Sequence, residues 1–364
     1  MTDPRDNRGK RHDWHFVLFG VLLATMAGKV LVAEIHRFLL RHHLRLCALL
    51  EVEEARNVSD AQLRRLLALV DVRAYQQFHS NYFGWQVSLL PVDSWISFDG
   101  KELRGTIDGV SGQKRGLCLV RALWQQGSIS LSSLFYHGTK DSEIRCVRML
   151  LQNHLLASQH LTFDALHTQH ETLEMVEDAQ GTYVAQVKAN QSQLLEDLQD
   201  HINLSAPCAW HQSWDKGHGR IEQRHTTCYD ITPICFEDKW KDCGLATLIV
   251  IKRTSTQCKT GKTSQESSFY VSNKKPLALQ AEDMAKAIRQ HWAIEADHWV
   301  RDVTFREDRI RCKDPARSKS LASIISVAGN LMRQQKKGSL KAMQEDIACD
   351  LSSAVSLFRH TDVL

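Results

Sequence analysis

The chain has 364 residues, 43% of them apolar, enough to bury a real core as one large domain with an appendage or as two domains. Its 46 cations against 42 acids leave a net charge of +4, too mild to demand a polyanionic partner, so a case for nucleic acid has to come from local clusters. Ten scattered cysteines with no Cys-x-x-Cys pair offer neither a zinc ribbon nor a dithiol redox motif and fit free thiols in a reducing cytoplasm.

In chain order, residues 1–90 read as helical. The uncharged run at 14–28 follows Lys10 and Arg11 and imitates a signal peptide, but Lys29 interrupts it and no small-x-small cleavage site is clear. A buried core helix is expected there, rather than a leader or membrane anchor. Residues 59–62 carry a capping-box pattern that opens an amphipathic stretch to Leu69, and a further helix is expected over 72–78. Together these form a separate N-terminal module (1–90) suited to binding DNA ends.

From Trp95 the texture changes to short strands at 95–99, 116–124 and 129–136, an antiparallel meander. A helix at 142–156, a strand ending at Asp164, a helix at 171–178, a strand at 182–188 and a helix at 191–201 follow, an alternation that extends a sheet in parallel. The order is that of a ribonuclease-H-like α/β fold, a mixed sheet flanked by helices. Between about 205 and 275 the alternation stops. Strands at 221–229, 246–252 and 267–272 with a polar loop over 254–266 read as a β-rich insertion placed before the last catalytic helix. Residues 289–302 lack Gly and Pro and read as that helix. The catalytic domain spans 91–335, and 336–364 forms a C-terminal tail.

Three acids stand out: Asp99 and Asp164 at strand ends, and Glu295 on the helix. Hard divalent cations such as Mg²⁺ require carboxylate oxygens, and a pair of them can activate a nucleophile and stabilise the leaving oxygen of a phosphodiester. On a helix turning 100° per residue, His291, Glu295, His298 and Asp302 share a stripe roughly 60° wide, flanked by Trp292 and Trp299. Lys101 and Arg104, just beyond Asp99, suit a phosphate-bearing substrate. Lys188 either holds backbone phosphate or pairs with a triad acid. Asn190 and Gln191 are expected to cap the following helix. The 218–222 segment reads as a hairpin turn, which Arg220 and Arg224 would turn into a DNA contact. His167 and His170 invite a transition metal, but no third ligand motif matches them. Arg301, Arg306, Arg309, Arg311, Lys313, Arg317 and Lys319 make the strongest basic run and would bind DNA backbone.

These segments resemble, in order, the H-repeat-associated group of DDE insertion-sequence transposases. The likeness is carried by Asp99-Gly-Lys-x-Leu-Arg-Gly-Thr, Thr162-x-Asp164-Ala, Tyr183…Val187-Lys188-Ala-Asn190-Gln191, His218-Gly-Arg220-Ile-Glu222, and His291-Trp-x-Ile-Glu295…His298-Trp-Val…Asp302…Phe305-Arg-Glu-Asp308. It covers about residues 1–335, and the opening Asp3-Pro-Arg-Asp-Asn-Arg-Gly-Lys is similar to the group's N-terminal region, which here begins abruptly, as though a short upstream helix preceded it. The resemblance implies that Asp99, Asp164 and Glu295 hold two Mg²⁺ ions, with Mn²⁺ as a substitute. It further implies cleavage at transposon ends followed by attack of a 3′-hydroxyl on target DNA. The cations read from the residues as facing DNA are Lys101, Arg104, Lys188, Arg220, Arg224, Arg309 and Arg311; the partners implied are transposon ends and target, with a homodimer on paired ends, and the setting is the bacterial cytoplasm and nucleoid. The alternative is a DNA-binding protein from a decayed, immobile element that keeps the fold. One departure stands out: where the wider superfamily has Tyr and Arg before the helical Glu and Lys after it, this chain has Ile288, His291 and Asp302.

Overall fold

The computed structural model describes residues 2–79, 81, 90–91, 93–107, 115–152, 156–276, 280–334 and 338–359. Its N-terminal helices are α1 (Trp14–Met26), α2 (Val32–Arg41), α3 (His43–Leu49), α4 (Asp60–Ala68) and α5 (Val72–His79). Strands β1 (Trp95–Leu103), β2 (Leu117–Trp124) and β3 (Ile129–Tyr136) form the meander. They are followed by α6 (Lys140–Gln152), β4 (His160–Phe163), α7 (His170–Asp178), β5 (Thr182–Val187) and α8 (Ser192–Leu204). Next come β6 (Ala209–Gly217), β7 (Arg220–Asp230), β8 (Thr247–Gln257) and β9 (Thr263–Ser272), then α9 (Ala281–His291), α10 (Ala293–Val303), α11 (Pro315–Gln334), α12 (Leu340–Cys349) and α13 (Ser352–Arg359).

The nine described strands join one sheet in the order β3-β2-β1-β4-β5-β9-β8-β7-β6. The first five make the ribonuclease-H-like core: β2 and β3 run antiparallel to β1, while β4 and β5 run parallel to it. β2 is buried on both faces, as its near-continuous apolar sequence requires, with Arg121 the exception. A bulge interrupts the β2–β3 ladder near Leu123, and Asn330 of α11 occupies the gap, giving to the Ser130 carbonyl (2.7 Å) and accepting from its N–H (3.0 Å).

The insertion is an antiparallel arm attached through the β5–β9 pairing. The polar stretch expected as a loop over 254–266 is instead the far halves of β8 and β9, joined at 258–262. Its side chains are exposed, so no apolar alternation marks it; Thr and Ser, tolerant of extended backbone, pair Thr256 with both Ile221 and Thr263. β6, which the sequence does not announce, completes the arm at its outer edge. The expected helix through 289–302 is broken at Trp292 into α9 and α10; Trp292 itself has helix-like dihedrals (φ −60, ψ −11), so propensity leaves no signal there.

The chain's two ends share one core. α1 is apolar all round and must be enclosed. Asp13 caps it, accepting from the Phe16 N–H at 2.6 Å, and it packs along α11, which also meets α4 and α5. Ser59 caps α4 by accepting from the Gln62 N–H at 3.2 Å. The N-terminal helices thus pack on α11 rather than standing apart. The region expected as a tail holds α12 and α13, with Ile347, Ala354 and Leu357 buried. Among the described residues no helix is long and apolar enough to cross a membrane.

Candidate active site

Parallel pairing of β1 with β4 matches Ser97 to Thr162. Two residues further on, the same register brings Asp99 level with Asp164, where the parallel strands diverge and a cleft opens. Short local bonds orient both acids: Asp99 Oδ1 accepts from the Gly100 N–H (2.8 Å), and Asp164 Oδ1 from the His167 N–H (3.1 Å). Glu295, in the first turn of α10, lines a cleft of about 1260 Å³ together with Asp164, Lys188, His291 and Trp292; Asp99 stands beside Asp164 without lining it.

The charges in this cleft are not balanced. Burial, then the charge of Asp164, pushes the Asp99 carboxyl up to about 7. Burial and Asp164 likewise raise Glu295, against the opposing charge of Lys188. Each acid therefore feels its neighbours, although among the described residues no three His, Cys, Asp or Glu side chains converge as a ready-made cation site. The donor set, hard oxygens in mutual repulsion, is the kind a divalent cation relieves. His298 Nδ1 lies 3.5 Å from Asp99 Oδ2, and burial drives its imidazole far below the ordinary range, so it stays neutral. His291 is held from behind: Thr162 Oγ1 is 2.7 Å from its Nδ1 and receives Gln125 Nε2 at 2.6 Å, and burial lowers its pKa to about 4.

The opposite flank of α10 is anchored by a buried network of ions. Asp297 lies between Arg121 (3.0 Å), the cross-strand neighbour of Asp99, and Arg333 (2.5 Å) of α11. Arg301 clasps Glu307 through Nε (3.0 Å) and also reaches Ser326 Oγ (2.9 Å) and the Ala322 carbonyl (3.1 Å). On the Glu295 stripe itself, two turns further along, Lys101 meets Asp302 (2.7 Å), together with Asp308 (2.9 Å) and Glu307 (3.7 Å). Sequence reasoning missed Arg121 and Asp297. The available signal was the lone Arg inside an apolar strand, since a buried charge needs a partner.

Of the seven cations expected to face DNA, two are enclosed. Lys101 is buried among three carboxylates, its ammonium turned away from solvent. Arg224 is held between Asp215 (2.5 Å) and Glu222. Arg220 is half exposed and pairs with Glu222 at 3.0 Å. Arg104, Lys188, Arg309 and Arg311 are exposed. The basic run is likewise dispersed: Arg301 is interior, and Arg306 binds Glu34 (2.9 Å) and the Gly28 carbonyl (2.8 Å). Asn190 and Gln191 do not cap α8; their amides reach back to the carbonyls of Ala165 (2.7 Å) and Thr168 (3.0 Å), bracing the segment after Asp164.

Comparison with known proteins identifies the family. The family model described as "Transposase DDE domain" matches residues 125–331, more than half of the chain, and a model for the associated N-terminal region matches 1–83. The chain belongs to the DDE transposase family. Among relatives, "Putative transposase YncI" of Escherichia coli O157:H7 is 28% identical over 364 residues, spanning 96% of this chain and 90% of that one. "H repeat-associated putative transposase YhhI" of Escherichia coli K12 is 27% identical and covers 77% of this chain and 76% of its own length. A solved piggyBac transposase synaptic complex with hairpin DNA overlays with a TM-score of 0.42 at 15% identity, covering all of this chain and 76% of that one. Within this DDE family member, Asp164 and Glu295 with the cleft they line, and Asp99 beside Asp164, make up the candidate active site.

Proposed function

We propose that this DDE family member is a metal-dependent transposase that cleaves DNA at the ends of a mobile element and joins those ends to target DNA. The observation that carries the reading is the strand register levelling Asp99 with Asp164, with Glu295 across the cleft and the charge of Asp164 acting on both. Asp99, Asp164 and Glu295 would hold Mg²⁺, or Mn²⁺ in its place. When bound, the ions polarise the phosphodiester and lower the pKa of an attacking water or 3′-hydroxyl. The protein's own groups supply orientation: Gly100 and His167 amides aim the two sheet carboxylates, and the ion network fixes the face of α10 that carries Glu295. Exposed Arg104, Lys188, Arg309 and Arg311 offer contacts to DNA backbone at transposon ends and target, and a homodimer would pair two ends on the nucleoid.

Replacing Asp99 or Asp164 with Asn, or Glu295 with Gln, should abolish Mg²⁺-dependent nicking of end-containing DNA and leave binding in EDTA intact. Full nicking by any one of the three would remove that residue from the triad.

A further inference from the structure

One carboxylate near the site belongs neither to the triad nor to the ion network. Glu143 of α6 is 14% exposed and lies against Gly100, so closely that a Cβ on Gly100 would stand 2.5 to 2.8 Å from its carboxyl atoms. The Tyr136 hydroxyl donates to its Oε2 at 2.7 Å. Its Oε1 is 3.4 Å from Nε2 of His167, an imidazole only 1% exposed whose ring nitrogens make no well-aligned hydrogen bond. Both neighbours hold the sheet acids: Gly100 N–H donates to Asp99, and His167 N–H donates to Asp164. Glu143 therefore bridges Gly100, within β1, and His167, beyond the end of β4, meeting each acid through the residue whose amide orients it.

We propose that Glu143 is a positioning residue of the metal site, a fourth anionic group that sets the placement of Asp99 and Asp164 and adds its charge to the attraction for a divalent cation. This rests on the metal-dependent reading given above. Burial alone would raise the Glu143 carboxyl, but His167 and Tyr136 outweigh it and keep the group ionised, and its charge is among those acting on Asp99. Residues that orient metal ligands from behind commonly change affinity by about 10–100-fold when removed. A carboxylate serving only to seat α6 would leave cation affinity alone.

Mn²⁺ binding by the full chain without DNA, followed by electron paramagnetic resonance, separates the two roles. Glu143→Gln should weaken Mn²⁺ by about 10-fold, with melting in EDTA and DNA binding in EDTA close to the parent. Gly100→Ala, whose methyl would displace the same carboxylate, should weaken Mn²⁺ to the same extent, and Glu143→Asp should fall between. Should Glu143→Gln fail to fold, Tyr136→Phe removes only the clamping hydroxyl and should weaken Mn²⁺ by about 3-fold. Parent-like affinity in the folded variants overturns the proposal. Asp99→Asn is the control: if it too binds Mn²⁺ as the parent does, the metal reading itself fails, whereas weakened binding there beside parent-like Glu143→Gln sinks only the role of Glu143.

Discussion

α10 has acids on two flanks, and they are treated in opposite ways. On the cleft side, the charge of Asp164 acts on Glu295 and on Asp99 with little compensation, and both carboxyls are raised above their ordinary values. On the buried side, Asp297 and, in the turn that follows the helix, Glu307 are further from water, yet Arg121, Arg333 and Arg301 outweigh the cost of burial and hold both below theirs. Exposure does not explain the difference; partners do. Acids that serve as framework come with their cations built in, while acids left in repulsion are waiting for a charge from outside the chain.

That contrast predicts opposite stability effects from removing one negative charge on each side. Asp297→Ala leaves Arg121 and Arg333 buried and unmatched and should cost about 3–5 kcal/mol in urea unfolding. Asp99→Asn, measured in EDTA at pH 8, should instead stabilise the fold. Its folded pKa is raised from 3.8 to about 7, so the ionised state is penalised increasingly as pH climbs through that window. Allowing for solvent screening, relief is on the order of 2 kcal/mol. Equal destabilisation by both substitutions would erase the distinction.

The buried flank also has a characteristic response to acid. Burial would raise the Glu307 carboxyl, but the Arg301 guanidinium outweighs it and the folded value lies below the ordinary 4.5. The stability from this pair is therefore complete above about pH 4.5 and disappears as pH falls below it. Thermal melting from pH 6 to pH 3.5 should fall more steeply for the parent than for Glu307→Gln, with the variant less stable at pH 6. Parallel curves would mean that Glu307 takes no part in acid unfolding.

The sequence made the sheet core readable because buried strands have to be apolar and the helices between them amphipathic; it singled out Asp99 and Asp164 as strand-end acids and Glu295 on a helix, but β1 runs on to Leu103, so Asp99 lies inside the strand, where the Gly after it looked like a turn. The arm was less readable. β6 and the outer halves of β8 and β9 are held by backbone pairing in water, which leaves no hydrophobic pattern. Side-chain partners were least readable of all. Nothing local to Lys101 announces that Asp302 and Asp308, some two hundred residues later, will take its charge, so a cation close to Asp99 looked like a phosphate contact. Asp302 stood out as a departure from the superfamily's Lys, and its place beside Lys101 gives that departure a structural reason.

The smallest effect separates the exposed cations from the enclosed ones. Binding of end-containing DNA in EDTA, with metal chemistry silent, isolates the electrostatic term. For every phosphate that a variant no longer neutralises, the plot of log affinity against log salt should become shallower by about 0.9. The combined Arg104→Ala, Lys188→Ala, Arg309→Ala and Arg311→Ala protein should therefore have a slope shallower by about 3.6. Arg224→Ala should keep the parent slope, since Asp215 and Glu222 already occupy its guanidinium. Arg220, half exposed but paired with Glu222, should fall between the two groups. Glu295→Ala removes a negative charge from the cleft and leaves the phosphate-binding cations in place, so its slope should match the parent. If the fourfold variant binds with unchanged affinity and slope, these four cations are solvated surface and the DNA path lies elsewhere. If Arg224→Ala flattens the slope as much as an exposed arginine does, its ion pairs open on DNA and the division between enclosed and exposed cations fails.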